Sequence, residues 1–454
     1  MRFACDTGGT FTDLIVEDDD GTLSMYKAST TPSDPVQGVL DALTLAAADR
    51  DMPLGDLLAR GEMLIHGTTH AINAIITGNT ARTAFLTTSG HPDILVLREG
   101  GRIEPFNFVA AYPEPYIPRA LTFEVPERVN SAGAAHTPLE EAATVEIIGK
   151  LKQNGVEAVA VCFLWSISNP AHELRVGELL EEHLPGVPYT LSHQINPALR
   201  EYRRASATAI DASLKPLMGK YLGGLTERLT AAGFAGRTLV LTSQGGMLDA
   251  TDLAQKPIHA INSGPSMAPI AGRNYADIDA ASSNVIIADT GGTTYDVSLV
   301  RDGRIPLTKE TWIGQPFRGH MTGFPSIDIK SVGAGGGSIA WVDAGGLLHV
   351  GPQSAGAVPG PVCYGAGGME PTVTDACVTL GYLDPGYFLG GTMDLDAAGA
   401  RKAVEDHVAT PLGLSVEEAA ASILSVATEN MVQAISDITV DQGIDPADAV
   451  LIGG

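Results

Sequence analysis

The sequence predicts an α/β protein made of two duplicated halves, and three observations lead to that prediction. The string DTGGT occurs twice, at residues 6–10 and 289–293, each time between two short apolar runs. Helix-like and strand-like patterns alternate through much of the intervening chain, which is typical of a doubly wound α/β layer. At 454 residues the chain is also too long for one hydrophobic core, so we expect two or three domains.

Each copy of DTGGT predicts a tight turn between two antiparallel strands, because a glycine pair interrupts the apolar runs. Asp13 follows the first copy at the same distance as Asp296 follows the second. Both copies then reach an Asp-Gly pair and a further extended stretch, at residues 22–30 and 304–312. The repeat therefore predicts a three-stranded meander in each half.

The chemistry of these turns favours anion binding. Adjacent glycines allow positive φ and carry no Cβ, so several backbone N–H groups can point at one phosphate. One such turn is more often an ordinary hairpin, but two in the same strand context favour a phosphate clamp closed by two half-domains. No GxxxxGK[ST] string is present, so neither turn is a P-loop. The residues predicted to hold phosphates are Thr7, Gly8, Gly9, Thr10, Thr12, Gly291, Gly292, Thr293 and Thr294, and those predicted to orient Mg²⁺ through water are Asp6 and Asp289.

Prolines mark two of the intervening helices. Pro138 is predicted to occupy the first position of one helix. Pro216 is predicted to break or kink a long helical stretch at residues 197–233. We place the domain boundary before that stretch, which divides an N-terminal domain of residues 1–195, with an inserted α/β region, from a core domain of residues 196–454.

Four polar residues are candidates for catalysis. His66 ends a predicted strand and either contacts substrate or is a satisfied structural histidine. Arg98 and Arg102 lie in the polar segment LREGGR. In a functional role they would neutralise a transferred phosphoryl group or bind a substrate carbonyl. In a structural role they would belong to a solvated face. Asp13 is either a catalytic carboxylate or one that caps the turn.

A glycine-rich run at residues 333–338 has two open interpretations. As a functional loop, its Gly335 and Gly336 would let backbone amides approach a nucleotide or substrate, and as a structural segment it is a flexible connector. The acidic residue that a dinucleotide-binding loop requires ~20 residues later is missing. The preceding Asp328 and Lys330 could also reach the same site.

Composition excludes several classes of partner. The formal net charge of −25 and the pI near 4.7 disfavour binding to nucleic acid or to an anionic membrane. No apolar run reaches the ~20 residues that span a bilayer, and the amino terminus enters a strand pattern without a secretory signal. The four cysteines form no CxxC pair. We therefore expect a cytoplasmic protein.

Several segments together resemble the hydantoinase A and oxoprolinase family: DTGGTFTDLIV, HGTTHAINAIITG, PEPYIPRALTFEVPERVNSAG, REYRRASATAIDASLKP and IDIKSVGAGGGSIAWVDAGG. These segments extend along the whole chain, and their combination is specific to the family. The paired DTGGT turns are similar to the two phosphate motifs of the actin, Hsp70 and sugar-kinase superfamily. The resemblance thus implies two actin-like (ribonuclease H-like) ATPase domains with a nucleotide cleft between them. The terminal strand with Gly453 and Gly454 resembles the start of that superfamily's adenosine motif.

The resemblance also implies an activity. Members of the family use ATP and Mg²⁺ to phosphorylate the oxygen of a small cyclic amide of the hydantoin, oxoproline or lactam type, and a hydantoinase B-like partner subunit completes ring hydrolysis. A hetero-oligomer is therefore expected. The alternative within the family is a ketone carboxylase subunit that phosphorylates an enol, in a reaction that uses bicarbonate. An alternative of another class is an actin-like ATP-driven clamp or reactivating factor, with no small-molecule substrate.

Two departures from the family pattern affect the adenosine site. Family members continue well beyond the position of Gly454, so part of that site is expected to be missing from this chain. The family also has Arg-Gly shortly before its terminal Asp-Pro turn, whereas this sequence has Asp441-Gln442-Gly443.

Overall fold

The computed structural model describes residues 1–8, 11–31, 34–100, 106–388, 391 and 393–454. These residues form two compact units. Unit 1 comprises Met1–Ser266 and Leu307–Ser326, and unit 2 comprises Met267–Pro306 and Ile327–Gly454. The division into residues 1–195 and 196–454 stays a prediction. Among the described helices, none combines the length and the apolar character that a membrane crossing requires.

Helices and strands alternate along the chain, as the sequence predicts. Up to residue 266 they are β1 Arg2–Thr7, β2 Phe11–Glu17, β3 Leu23–Ser29, α1 Pro35–Asp49, α2 Leu54–Ala59, β4 Met63–Thr68, α3 His70–Ile76, β5 Thr83–Thr88, α4 Ile94–Leu97, β6 Thr122–Val125, β7 Arg128–Val129, β8 Ala135–Thr137, α5 Glu141–Gln153, β9 Ala158–Cys162, α6 Ala171–His183, β10 Tyr189–Leu191, α7 Ser192–Ile195, α8 Glu201–Ala231, β11 Arg237–Leu241, β12 Met247–Asp249 and α9 Ala250–Gln255. Thereafter they are α10 Met267–Ala280, β13 Val285–Thr290, β14 Tyr295–Val300, β15 Leu307–Thr308, β16 Trp312–Ile313, β17 His320–Met321, β18 Ser326–Ile327, β19 Ile329–Val332, β20 Ser338–Val342, β21 Leu348–Ser354, α11 Val373–Thr379, α12 Ala397–Val404, α13 Thr410–Leu412, α14 Val416–Gln442 and β22 Val450–Gly453.

The first sheet of unit 1 contains the first predicted meander. Its strand order is β12-β11-β4-β1-β2-β3, with β1 antiparallel to β2 and parallel to β4. Leu14 and Val16 on β2 are fully buried, while the residues between them face outward, because alternate side chains of a strand point to opposite faces. Helix α1 covers the buried face with Val39 and Leu43. The predicted three-stranded meander is confirmed in this copy.

The second sheet of unit 1 is the predicted doubly wound layer. Its four strands, in the order β10-β9-β5-β6, are all parallel. Every residue of β9 is buried, as expected for a parallel strand covered on both faces. Val159 and Val161 pack with helices α5 and α6, whereas Ala158 and Ala160 pack with α8 on the other face.

Helix α8 connects the cores of the two sheets of unit 1. Ala205 and Ala209 lie in the core beneath the parallel sheet, and Met218 and Leu222 lie in the core beneath the first sheet. The helix is continuous across Pro216, so the proline does not break it, while the alternative of a kink stays a prediction. Each half of α8 is packed in a hydrophobic core, and this packing stabilises the helix although Pro216 donates no backbone hydrogen bond.

The predicted start of helix α5 is also wrong. Pro138 precedes the helix, which begins at Glu141. Residues Ala135–Thr137 form β8 instead, paired antiparallel with β7. Pairing of β8 with β7 therefore holds the chain extended up to Thr137, and the helix begins only after this hairpin.

The sheet of unit 2 repeats the topology of the first sheet. Its order is β19-β14-β13-β22, with β13 antiparallel to β14 and parallel to β22. The predicted third strand of the second meander is wrong, since residues 304–312 do not pair with β14. Ile329–Val332 pairs there instead, because the chain first passes through Leu307–Ser326, which belongs to unit 1. The α/β class and the duplicated hairpin are confirmed.

Candidate functional site

The first turn joins β1 to β2. The backbone N–H of Gly8 donates to the Phe11 carbonyl over 3.0 Å, while Gly9 and Thr10 lie outside the described residues. Thr7 is 3 % exposed, and its buried Oγ1 has no hydrogen-bond partner in the described part of the chain. Thr12 is fully buried and its Oγ1 lies 2.9 Å from the Thr30 hydroxyl. The Thr7 and Thr12 hydroxyls are therefore both buried beside the turn.

A cavity of about 330 Å³, here called the turn cavity, lies beside the first turn in unit 1. Its lining combines the turn with the segment HGTTHAINA. The Thr68 hydroxyl accepts from the His70 backbone N–H over 3.1 Å, and the Asn73 amide donates to the Thr69 hydroxyl over 3.1 Å. The lining residues are Thr7, Gly8, Thr30, Pro35, Thr68, Thr69, His70, Asn73, Ala74, Thr77, Asn79 and Leu217. Hydroxyl and amide groups suit a small polar ligand.

Two carboxylates face each other across the first hairpin. Asp6 and Asp13 are direct partners in the β1–β2 register, so their side chains leave the same face. Partial desolvation, followed by the Asp13 carboxylate, raises the pKa of Asp6. Lys27 forms an ion pair of 2.9 Å with Asp13. On the far side, a Cβ at Gly67 would lie 2.7 Å from Asp6 Oδ1, so Asp6 lies close to β4.

The second turn joins β13 to β14. The Gly291 backbone N–H donates to the Thr294 carbonyl over 2.9 Å, as the Gly8 N–H does in the first turn. Gly8, Gly291 and Gly292 do not have positive φ, so that part of the prediction is wrong for the three described glycines. A Cβ at Gly292 would meet nothing within 4 Å. The absence of a side chain here leaves space open beside the turn.

The glycine loop, residues 333–338, packs its backbone directly on the second turn. The N–H groups of Gly336 and Gly337 donate to the carbonyls of Gly291 and Gly292 over 3.1 and 2.6 Å. A Cβ at Gly335 would lie 2.6 Å from the Thr293 carbonyl carbon. The loop therefore fixes the second turn from behind, a supporting role that the sequence analysis did not anticipate.

The second pair of carboxylates matches the first. Asp289 and Asp296 are direct partners in the β13–β14 register. Burial, and then the Asp289 carboxylate, raises the pKa of Asp296, while a hydrogen bond from Ser331 lowers it. The buried Asp296 Oδ1 has no hydrogen-bond partner among the described residues. No cluster of three or more His, Cys, Asp or Glu side chains suited to a metal occurs in the described part of the chain.

Strand β22 brings the chain's last glycines beside the second turn. The Thr290 N–H donates to the Gly454 carbonyl over 3.0 Å, and the Gly454 N–H donates to the Ala288 carbonyl over 2.9 Å. A Cβ at Gly453 would meet nothing within 4 Å. Gly453 pairs with Ala288, and a Cβ at Gly454 would lie 3.8 Å from Asp289 Oδ1, so both glycines lie near Asp289; their role in nucleotide binding stays a prediction.

His66 lies behind the first turn. Its ring is fully buried, and 2.7 Å separates Nε2 from the Tyr221 hydroxyl on α8. Complete burial lowers the pKa of His66 to about 4, so the imidazole is neutral near pH 7. The buried Nδ1 has no hydrogen-bond partner among the described residues, so only one of the two ring nitrogens is satisfied.

Arg98 does not reach the first turn. Its guanidinium donates to the carbonyls of Phe317 and Gly319 over 3.0 and 2.8 Å, and to that of Glu114 over 3.3 Å. Arg102, the other predicted arginine, lies outside the described residues.

Arg98 instead lines a second cavity of about 650 Å³ in unit 1, here called the aromatic cavity. Its lining residues are Leu97, Arg98, Glu99, Gly100, Ala110, Ala111, Tyr112, Pro113, Tyr202, Trp312, Phe317, Arg318 and Met321. Tyr202 of this cavity and Leu217 of the turn cavity are fifteen residues apart on α8, or about 22 Å at 1.5 Å per residue. The two cavities are therefore separate.

The Asp328 and Lys330 candidates bind the end of α14. The Gln442 amide donates to Asp328 over 2.9 Å, and Lys330 lies 3.0 Å from the Asp441 carboxylate. Lys330 therefore pairs with the segment that departs from the family pattern.

We expect Gly335→Ala to destabilise the protein by about 1–3 kcal/mol, because the new Cβ would overlap the backbone of the second turn. Chemical denaturation measures this change. Gly149→Ala is the control, since a Cβ there meets nothing within 4 Å and alanine favours helix α5. Equal stability of the two variants would contradict the close packing.

The low pKa of His66 predicts a pH-dependent stability. An unfolded histidine titrates near pH 6.5, so between pH 6.5 and about 4 the unfolded chain binds a proton that the native protein does not. The contribution of His66 therefore falls as the pH is lowered, by up to about 1.4 kcal/mol per pH unit. In His66→Gln the free energy of unfolding should decline less steeply over this window. His136→Gln, at an exposed histidine, should keep the wild-type slope, and equal slopes in all three proteins would exclude the effect.

Known proteins share this architecture. The hydantoinase/oxoprolinase family model matches residues 204–454, and the model of the family's N-terminal region matches residues 2–184. The alpha subunit of caprolactamase from Pseudomonas jessenii is 39 % identical over 457 residues, covering 100 % of this chain and 64 % of that subunit. The gamma subunit of acetophenone carboxylase from Aromatoleum aromaticum is 36 % identical, covering 98 % of this chain and 62 % of that subunit. The chain thus spans less than two thirds of the length of these relatives.

A solved structure gives the same result. The crystal structure of the ATP-dependent caprolactamase from Pseudomonas jessenii matches with a TM-score of 0.89 and 38 % identity, covering 100 % of this chain and 65 % of that one. This likeness confirms the actin-like α/β fold that the duplicated turns predict. With the two family models together matching nearly its whole length, the chain belongs to the hydantoinase/oxoprolinase family.

Proposed function

We propose that this chain binds ATP through its two glycine turns and transfers the γ-phosphoryl group to the carbonyl oxygen of a small cyclic amide. The observation that carries the proposal is a repeated arrangement. In each unit two strands joined by a glycine turn place two aspartates opposite each other, at equivalent positions of the hairpin. The likeness to an ATP-dependent caprolactamase supports the nucleotide and the class of substrate.

The carboxylate pairs fit a divalent cation. Desolvation is the first cause of the raised pKa values of Asp6 and Asp296, and the carboxylate on the opposite strand adds to it in each copy. Like charges directly opposite each other across two strands are unfavourable. Mg²⁺ prefers oxygen ligands and keeps several of its waters, so two carboxylates suffice to orient it. Asp6 in the first hairpin and Asp289 in the second would each be able to orient Mg²⁺ through water, and the ion would neutralise charge on phosphate oxygens.

The described residues of the two turns would hold the phosphates in place. Backbone N–H groups and hydroxyls around Gly8 and Gly292 would bind phosphate oxygens. The amide oxygen forms a bond to the γ-phosphorus, and the bond from that phosphorus to the ADP oxygen breaks. The phosphorylated amide carbon is more electrophilic, which favours later attack by water.

We propose the turn cavity for the reacting carbonyl group. It adjoins Thr7 and Gly8, and its Asn73 and His70 side chains offer polar partners near the phosphate position. Phosphoryl transfer depends mainly on such positioning and on charge neutralisation.

A hydantoinase B-like subunit is the proposed partner. Both relatives described above are named as subunits of larger enzymes, which supports a hetero-oligomer. A partner would also keep the activated intermediate away from bulk water. The second candidate function, phosphorylation of a ketone enol before carboxylation, is supported by the likeness to acetophenone carboxylase.

Gly292→Val tests the phosphate assignment directly. A Cβ at this position meets nothing within 4 Å, so we expect the fold to tolerate the change, while the side chain would occupy space beside the turn. ATP affinity measured by calorimetry with Mg²⁺ should fall at least about tenfold. Thermal unfolding should remain near that of the wild type, and wild-type ATP affinity in a folded variant would refute the assignment.

Substrate dependence of ADP release distinguishes the candidate functions. With a hydantoinase B-like subunit present, lactams or hydantoins should accelerate ADP release in the wild type but not in Gly292→Val. Acceleration by ketones that requires bicarbonate would instead support the carboxylase function. A flat response to all cyclic amides and ketones would eliminate both enzymatic proposals and leave the ATP-driven clamp.

A further inference from the structure

The turn cavity has one lining residue that can accept a proton near neutral pH. Of the described residues in its lining, His70 alone is titratable, and the others offer hydroxyls, amides, backbone or apolar surface. An imidazole titrates near pH 6.5 and carries a free lone pair on one nitrogen when it is neutral. Among the described lining residues, His70 is therefore the candidate acceptor for a proton that leaves a ligand in this cavity.

The position of the His70 side chain is set by two helices. Four residues on α3 and at its end line the cavity with the spacing of one helical face, namely His70, Asn73, Ala74 and Thr77. The His70 ring lies against the Tyr221 ring of α8, with 4.7 Å between the ring centroids. The Tyr221 hydroxyl is in turn 2.7 Å from Nε2 of the buried His66. Ring packing on a buried pair thus holds the imidazole at the cavity.

The ring nitrogens of His70 are open to a ligand. Its backbone N–H donates to the Thr68 hydroxyl over 3.1 Å, but within the described chain its side chain makes no hydrogen bond. Neither ring nitrogen belongs to the buried polar atoms that lack a partner, so water reaches both of them, unlike Nδ1 of His66. Partial burial lowers the pKa of His70, which leaves the imidazole neutral near pH 7.

Phosphorylation of an amide oxygen creates a need for a base when the amide nitrogen carries a hydrogen. The oxygen forms a bond to the γ-phosphorus, the bond from that phosphorus to ADP breaks, and the nitrogen lone pair moves into a C=N bond. The nitrogen then carries a positive charge, which is removed when its proton passes to a base. The products are ADP, a phosphorylated imidate and the protonated base, so atoms and charges balance.

We propose that His70 is the general base of this phosphoryl transfer and takes the N–H proton of a cyclic amide bound in the turn cavity. The inference rests on the proposed function and narrows its substrate class to rings whose amide nitrogen carries a hydrogen. The imidazole holds this proton at one of its ring nitrogens while ADP leaves.

Two variants test this role by ADP release with a hydantoinase B-like subunit present. His70→Phe keeps a ring that can pack on Tyr221 but has no proton acceptor, and His70→Ala removes the ring. With ε-caprolactam, hydantoin and 5-oxoproline as probes, kcat should fall about a hundredfold or more in both variants. ATP affinity measured by calorimetry should stay near the wild-type value. His136→Ala, at an exposed histidine outside the cavity lining, is the matched control and should keep the wild-type rate.

Chemical rescue separates a proton acceptor from a residue that only supports Tyr221. Added imidazole should restore part of the rate in His70→Ala, where the ring has left space, but not in His70→Phe, where a ring occupies it. N-methyl-ε-caprolactam has no N–H proton to lose, so it should accelerate ADP release by the wild type far less than ε-caprolactam does.

Three outcomes would each overturn the proposal: the wild-type rate in either folded variant, no rescue of His70→Ala by imidazole, or equal acceleration of the wild type by the two caprolactams. Failure of the proposed function gives a different result, since none of the three N–H amides would then accelerate ADP release by the wild type itself. The role of His70 would fail with it.

Discussion

The carboxylates that face each other across each hairpin are the feature on which the proposed site depends. The antiparallel register places Asp6 opposite Asp13 and Asp289 opposite Asp296, so like charges share one face of each sheet. Strand pairing alone would not favour this arrangement. Lys27 compensates part of the charge in the first copy. A bound cation and the phosphates that accompany it would account for the remaining cost in both copies, which is why the function proposed here begins at the hairpins.

Close approach of backbone to backbone is the second constraint, and the glycine loop depends on it. A Cβ at Gly335 would lie 2.6 Å from the Thr293 carbonyl carbon, so the loop can lie against the second turn only with glycine at this position. The N–H groups of Gly336 and Gly337 then hold the carbonyls of Gly291 and Gly292. At Gly292 itself a Cβ would meet nothing within 4 Å, which leaves the space where phosphate is proposed to bind.

The two cavities of unit 1 differ in the polarity of their linings. Hydroxyl and amide groups surround the turn cavity, where phosphate chemistry is proposed. Aromatic side chains surround the other cavity, where Arg98 is held by three backbone carbonyls. Helix α8 contributes Leu217 to the first lining and Tyr202 to the second, and the packing of both of its halves keeps it continuous through Pro216.

The sequence by itself determined the α/β class, the duplicated hairpins and the family. These features depend on local patterns, namely apolar runs, glycine pairs and the repeated string DTGGT. Only the tertiary structure decided the third strand of the second meander, the uninterrupted course of α8 and the support of the second turn by the glycine loop. It also placed His66 behind the first turn and Arg98 far from it. These features depend on contacts between residues distant along the chain, such as Gly336 with Gly291 and His66 with Tyr221, and no local pattern encodes which distant partner a residue will meet.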